Sequence, residues 1–130
     1  MLLKEMLMPE LVMEKYDHLD FKPPATAAKE AAEGLAMRND YNRGGTGVGV
    51  ARARDLKNRK VLSPDTVRRM KAYFDRHEVD KKGTGWNRGE EGYPSAGLIA
   101  WKLWGGNAGR TWAVSMVSRM NREDDGPKAK

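Results

Sequence analysis

The apolar positions of this chain gather late, in the stretch Tyr93–Trp112, YPSAGLIAWKLWGGNAGRTW, which holds three of its four tryptophans. After Ser95, a hydroxyl residue suited to an N-cap, the positions Leu98, Ile99, Ala100, Trp101, Leu103 and Trp104 predict a helix that is apolar nearly all round. Such a helix belongs inside a core. Gly105 and Gly106 supply residues that tolerate a left-handed backbone and end it. Asn107 is the expected N-cap of the next helix. There Trp112, Met116 and Met120 recur at i, i+4 and i+8, with Ala113 and Val117 beside them, so this helix is amphipathic.

Upstream, the helical period returns three more times. Ala25–Asn39 is alanine-rich, and Ala28, Ala31, Ala32, Leu35 and Ala36 form its expected inner face. Asp40–Gly45 is expected as a loop. Thr46 caps a predicted helix through Leu56, with Val48, Ala51 and Leu56 inward. Ser63-Pro64-Asp65 starts another helix, with a serine cap, proline at the first position and an acid in the first turn. It is expected to run to about Val79, with Val67, Met70, Phe74 and His77 on one face and Tyr73 alongside. Asp80–Gly92 reads as a glycine-rich loop. Trp86 within it is either a lid on the core, the favoured reading, or an exposed anchor. The fold class that follows is all-α: one small domain of about five helices over residues 25–120, with glycine-rich loops.

Residues 1–24 form an expected N-terminal arm, separated by Pro23 and Pro24 because the residue before a proline is driven out of the helical region. Leu3, Met6, Leu7 and Leu11 make its apolar side. Four of the eight methionines lie here, and methionine suits adaptable surfaces. The arm either folds back on its own core or docks on a neighbouring subunit. Acids at Glu5, Glu10 and Glu14 interrupt it, and no small-residue cleavage site follows, which argues against a signal peptide. The charged segment from Asn121 to Lys130 is expected to be disordered in isolation.

One hundred and thirty residues suit a single domain, and a content of 39% apolar and 32% charged residues makes its core modest. The chain has no cysteine, which excludes disulfides, thiolate metal sites and a cysteine nucleophile. No run approaches the roughly 18 apolar residues of a membrane span, so no membrane partner is expected. The net charge of +6 is uneven: residues 38–88 hold fourteen Lys and Arg against six acids. An anionic partner is therefore sought at Arg43, Arg52, Arg54, Arg59, Lys60, Arg68 and Arg69.

The residues offer little for catalysis. GGTGVGV at Gly44–Val50 has the look of a nucleotide loop, but the polar RNDYNR before it cannot be the buried strand that a dinucleotide fingerprint needs, and no Lys-Ser/Thr pair follows. It reads instead as a turn into a helix, whose free N–H groups beside Arg43, Arg52 and Arg54 suit a phosphate or carboxylate. The two histidines, His18 and His77, are far apart in sequence, and no histidine–acid set has metal-ligand spacing. His77 reads as a packing residue. We expect no enzyme, no metal and no cofactor.

Three blocks in order, GLAMR followed by RGGTGVGVARARDL, then LSPDTVRRMKAYFDRHEVDK, then GYPSAGLIAWKLWGGNAGRTWA, resemble a small module of tailed-phage proteins that recurs alone and attached to prohead proteases and other virion proteins. The resemblance covers roughly Ala25 to Met120. It implies phage origin and association with head or particle building, in the virion or the host cytoplasm, and it brings no catalytic residues. The leading expectation is a non-enzymatic virion-associated protein, of capsid decoration, cement or head-connector type, docked within an assembly on capsid or connector proteins. The alternative is a basic accessory protein that contacts nucleic-acid phosphates non-specifically through residues 43–71. Phe74, Leu98, Trp101, Trp104 and Trp112 are the expected core in either case.

Overall fold

The computed structural model describes residues 15–125. It is all-helical, with five α-helices and no strand among the described residues: α1 (Ala25–Tyr41), α2 (Gly47–Lys57), α3 (Pro64–His77), α4 (Ala96–Leu103) and α5 (Gly106–Asp125). A 3₁₀ turn, Glu78–Lys82, follows α3. No described helix is long and apolar enough to cross a membrane.

Three of the helix starts follow local chemistry. Thr46, Ser63 and Ser95 each accept a hydrogen bond from the backbone N–H three residues on, at 3.3, 3.1 and 3.0 Å. These satisfy donors that a helix start leaves open. The fourth expected cap differs. Gly105 and Gly106 are left-handed, at φ 110° and 63°, and α5 starts on Gly106 itself. Asn107 lies inside the first turn, where its Oδ1 accepts the indole N–H of Trp101 at 3.0 Å. The side chain satisfies a core tryptophan instead of capping a helix.

The shortest helix, α4, is the hub, touching the other four and the 3₁₀ turn. Ile99, Trp101 and Leu103 are buried on it, and Leu98 and Trp104 nearly so. Around it lie Phe74, Met70 and Val67 from α3, Leu56 and Ala53 from α2, and Ala113, Met116 and Met120 from α5. Phe74 meets the Trp101 ring edge-on, with centroids 4.7 Å apart. Trp86 does the same at 5.7 Å and covers the core as a lid. Trp112 is only partly buried and packs at the core margin, because α5 turns Ala113, Met116 and Met120 inward.

Two inner faces differ from expectation. In α1 the buried residues are Ala27, Ala31 and Gly34, while Ala36 is exposed and the helix continues through Tyr41. The reason is α4: a Cβ on Gly34 would stand 2.7 Å from the backbone nitrogen of Leu103 and 2.9 Å from the carbonyl carbon of Lys102. The helices touch backbone to backbone there, so the absent side chain sets the face. In α2 the inner residues are Gly49, Ala53 and Leu56. Val48 is 60% exposed and Ala51 is exposed, since α2 also needs a small residue, Gly49, against Trp104. His77 ends α3 and is part-exposed.

Both ends of the described chain pack together. Tyr16 and Phe21 are core residues, and Phe21 O accepts the Leu62 N–H at 3.0 Å. The segment expected to lack structure from Asn121 is helical through Asp125. Asp124 explains this. It accepts the Tyr16 hydroxyl at 2.7 Å, pairs with Lys15 at 2.8 Å and with Arg68 at 3.3 Å. His18 pairs with Glu123 at 2.8 Å. Acids at a helix C-terminus oppose the helix dipole, and these cations, distant in sequence, offset that. The arm residues Leu3, Met6, Leu7 and Leu11 lie outside the described residues.

Two outcomes follow. Gly34→Ala should force α1 from α4 and cost about 1–3 kcal/mol, the range for overpacking, measured by denaturant unfolding. Asp124 has its pKa held below the usual carboxylate value, first by the Lys15 and Tyr16 hydrogen bonds. Its contribution is complete above its ordinary carboxylate pKa and is lost as pH falls through the depressed native value. The Tm of Asp124→Asn should be lower at neutral pH and flatter through that acid range.

Candidate functional site

The C-terminal half of α3, the end of α4 and the start of α2 enclose a half-open cleft of about 500 Å³. Its wall is a column of stacked rings. Tyr73 and His77 stand one turn apart on α3 and stack at 4.5 Å and 26°. Tyr73 stacks on Trp104, at the end of α4, at 4.5 Å and 6°. The Arg52 guanidinium of α2 lies 5.7 Å over the same indole. Gly45, Thr46 and Val48 line the opposite side, Ala72 and Ala100 add apolar surface, and Arg69 and Arg76 stand at the mouth.

Arg69 and Arg76 bring donors here, and the Thr46 Oγ1 acceptor is taken by the Gly49 N–H. No Asp or Glu lines the cleft. Arg69 has an exposed i, i+4 pair with Asp65 at 3.0 Å, which is weak in water. Tyr73 is 5% exposed, and its buried hydroxyl has no partner; nor has the buried Nε of Arg52. Burial, with Asp80 adding to it, pushes the Tyr73 pKa up, so the phenol stays protonated. Burial also lowers the Arg52 pKa, and the like charge of Arg69 adds to this against Asp55. Arg52 is paired with Asp55 at 3.4 Å, whereas Arg69 and Arg76 leave the cleft lining cationic, which suits an anion.

His77 Nδ1 lies 3.1 Å from Asp80 Oδ2, which orients the ring. The ring thus stacks on Tyr73 at one face and meets a carboxylate oxygen at Nδ1. Among the described residues, no three of His, Asp and Glu come together as a metal site.

The seven expected cations do not share one surface. Arg69 lines the cleft, and Arg52 lies over its Trp104 indole. Arg59 donates from Nε to Pro23 O at 2.8 Å. Arg68 binds Tyr16, Asn121 and Asp124, so both hold residues 15–24 in place. Arg43 lies over the Tyr41 ring at 5.5 Å and reaches Gly92 O at 3.4 Å. Arg54 and Lys60 are exposed on α2 and its exit. Sequence reasoning missed Arg76, and missed Tyr73 and Trp104 as a cleft wall. It also missed Lys102, which lies half-enclosed between Glu30 at 3.3 Å and Glu33 at 2.9 Å. Glu30 and Glu33 both precede Gly34 on α1, a grouping whose only trace in the sequence is their spacing.

Compared with protein-family models, curated proteins and solved structures, the chain matches none.

Removing the orphaned hydroxyl relieves a buried, unpaired polar group. Tyr73→Phe should therefore leave the fold as stable as before or raise stability by up to about 1 kcal/mol, read from the unfolding midpoint.

Proposed function

We propose that this chain is a non-enzymatic docking protein of a bacteriophage particle, seated on capsid or connector proteins. The observation that supports this best is the cleft of Tyr73, Trp104, Arg69 and Arg76. It offers hydrogen-bond donors and apolar surface, which suit holding a partner, and no acid–base set poised on a nucleophile. The phage assignment draws on the order of sequence blocks, from GLAMR to AWKLWGGNAGRTWA, which resembles the tailed-phage module. Arginines that bind nucleic acid non-specifically need to be free to track phosphates. Arg59 and Arg68 are instead occupied within the fold, which weighs against the nucleic-acid reading at residues 43–71.

The arm, in this reading, reaches the partner through Leu3, Met6, Leu7 and Leu11. A clean test cuts after residue 14, because removing residues 1–22 would strip Tyr16 and Phe21 from the core. The full chain should cosediment with assembled heads. The chain lacking residues 1–14 should keep its far-UV helical signal and lose cosedimentation. A full chain that stays in the supernatant, yet binds duplex DNA with log affinity falling steeply against log salt, would move the function to the nucleic-acid alternative.

A further inference from the structure

We infer that the cleft between the start of α2, α3 and the end of α4 is a carboxylate-binding subsite that takes an acidic residue next to an apolar one on a partner protein's chain. This rests on the docking reading and gives it a place and a chemistry.

The first support is a flat aromatic wall: Tyr73 and Trp104, which both line the cleft, stack at 4.5 Å and 6°. The second is the first turn of α2. Thr46 Oγ1 serves only the Gly49 N–H, and a helix start leaves the N–H groups of Gly47 and Val48 without intrahelical acceptors. Space around the Gly47 Cβ position is open to 4 Å. Trp104 Nε1 faces the same turn, 3.2 Å from where a Cβ on Gly49 would stand. Donors from two elements thus converge at one end of the cleft, where the helix dipole also favours a negative charge.

The third support is the sign of the mouth. Arg69 and Arg76 stand there with no lining acid, and Arg76 has no ion-pair partner among the described residues. The fourth decides the class of anion. Val48 is 60% exposed at the rim, and Ala72, Ala100 and the Trp104 indole continue the apolar surface. A phosphate backbone would leave that surface unused. An acidic side chain followed by an aliphatic or aromatic one uses both, and a volume of about 500 Å³ is within the range of small-ligand sites.

The test is an amide and indole NMR titration of the full chain with a capped peptide, Gly-Glu-Leu-Asp-Gly. A neutral control carries Gln and Asn at the acidic positions, and inorganic phosphate and duplex DNA are titrated separately. The acidic peptide should shift the Trp104 indole and the Gly47 and Val48 amides saturably, and the neutral peptide should not. Arg69→Ala with Arg76→Ala, both exposed positions, should weaken binding at least tenfold with the rest of the spectrum unchanged. No saturable shift at these groups, equal shifts with the neutral peptide, or tighter binding of phosphate or DNA would each overturn the assignment. If the double variant still cosediments with heads and no peptide binds, the cleft is wrong and the docking reading stands. If the peptide binds as expected and the full chain does not cosediment, the cleft stands and the particle role falls.

Discussion

The close approach of α1 and α4 at Gly34 is the constraint on which the rest of the structure depends. An eight-residue helix does not hold its shape alone in water, so α4 exists because its neighbours enclose it. Gly34 lets the backbones touch, and Glu30 and Glu33 then close over Lys102. Burial works against the Lys102 charge, but the Glu33 hydrogen bond and the two carboxylates win, and its pKa stands above the ordinary value. Once α4 is set at that depth, its two tryptophans are placed. Trp101 faces Phe74 and Trp86 as core, and Trp104 faces Tyr73 at the edge. The cleft wall is thus a consequence of a missing side chain on the far side of α4.

The positive charge is used in the same economical way. A balance of +6 suggests a broad cationic surface, yet the arginines divide into different tasks. Arg59 and Arg68 reach 36 and 56 residues along the chain to hold Pro23 and Asp124. Their long stems and forked donors suit such bridges. Arg52 lies over Trp104, its alkyl stem sheltered and its Nε unspent. One outward-facing group is Arg69 and Arg76 beside an aromatic wall, and Arg110, Arg119 and Arg122 line a second hollow on α5. A concentrated charge next to apolar surface selects more sharply than a diffuse one, because a ligand must satisfy both.

The stacked column also carries a cost in stability. An unpaired phenol and an unpaired guanidinium nitrogen, both buried, weaken the free protein. Away from the column, the buried Nε of Arg110 also lacks a partner, while Trp101 finds its acceptor in Asn107.

The sequence by itself determined the all-α class, the caps at Thr46, Ser63 and Ser95, the glycine break at Gly105–Gly106 and the burial of Trp101, Trp104 and Phe74. These rest on local rules: a hydroxyl three residues before an open N–H, a backbone that needs φ above zero, and large apolar side chains on one helical face. Tertiary structure alone decided which small residues face inward, because Gly34 and Gly49 are chosen by what stands opposite them and not by their own hydrophobicity. It decided that Asn121–Asp125 is helical, since the cations that offset those acids lie far away in the chain. It also decided the cleft. Tyr73, Trp104 and Arg52 come from three helices, and no spacing within one of them shows that their side chains stack.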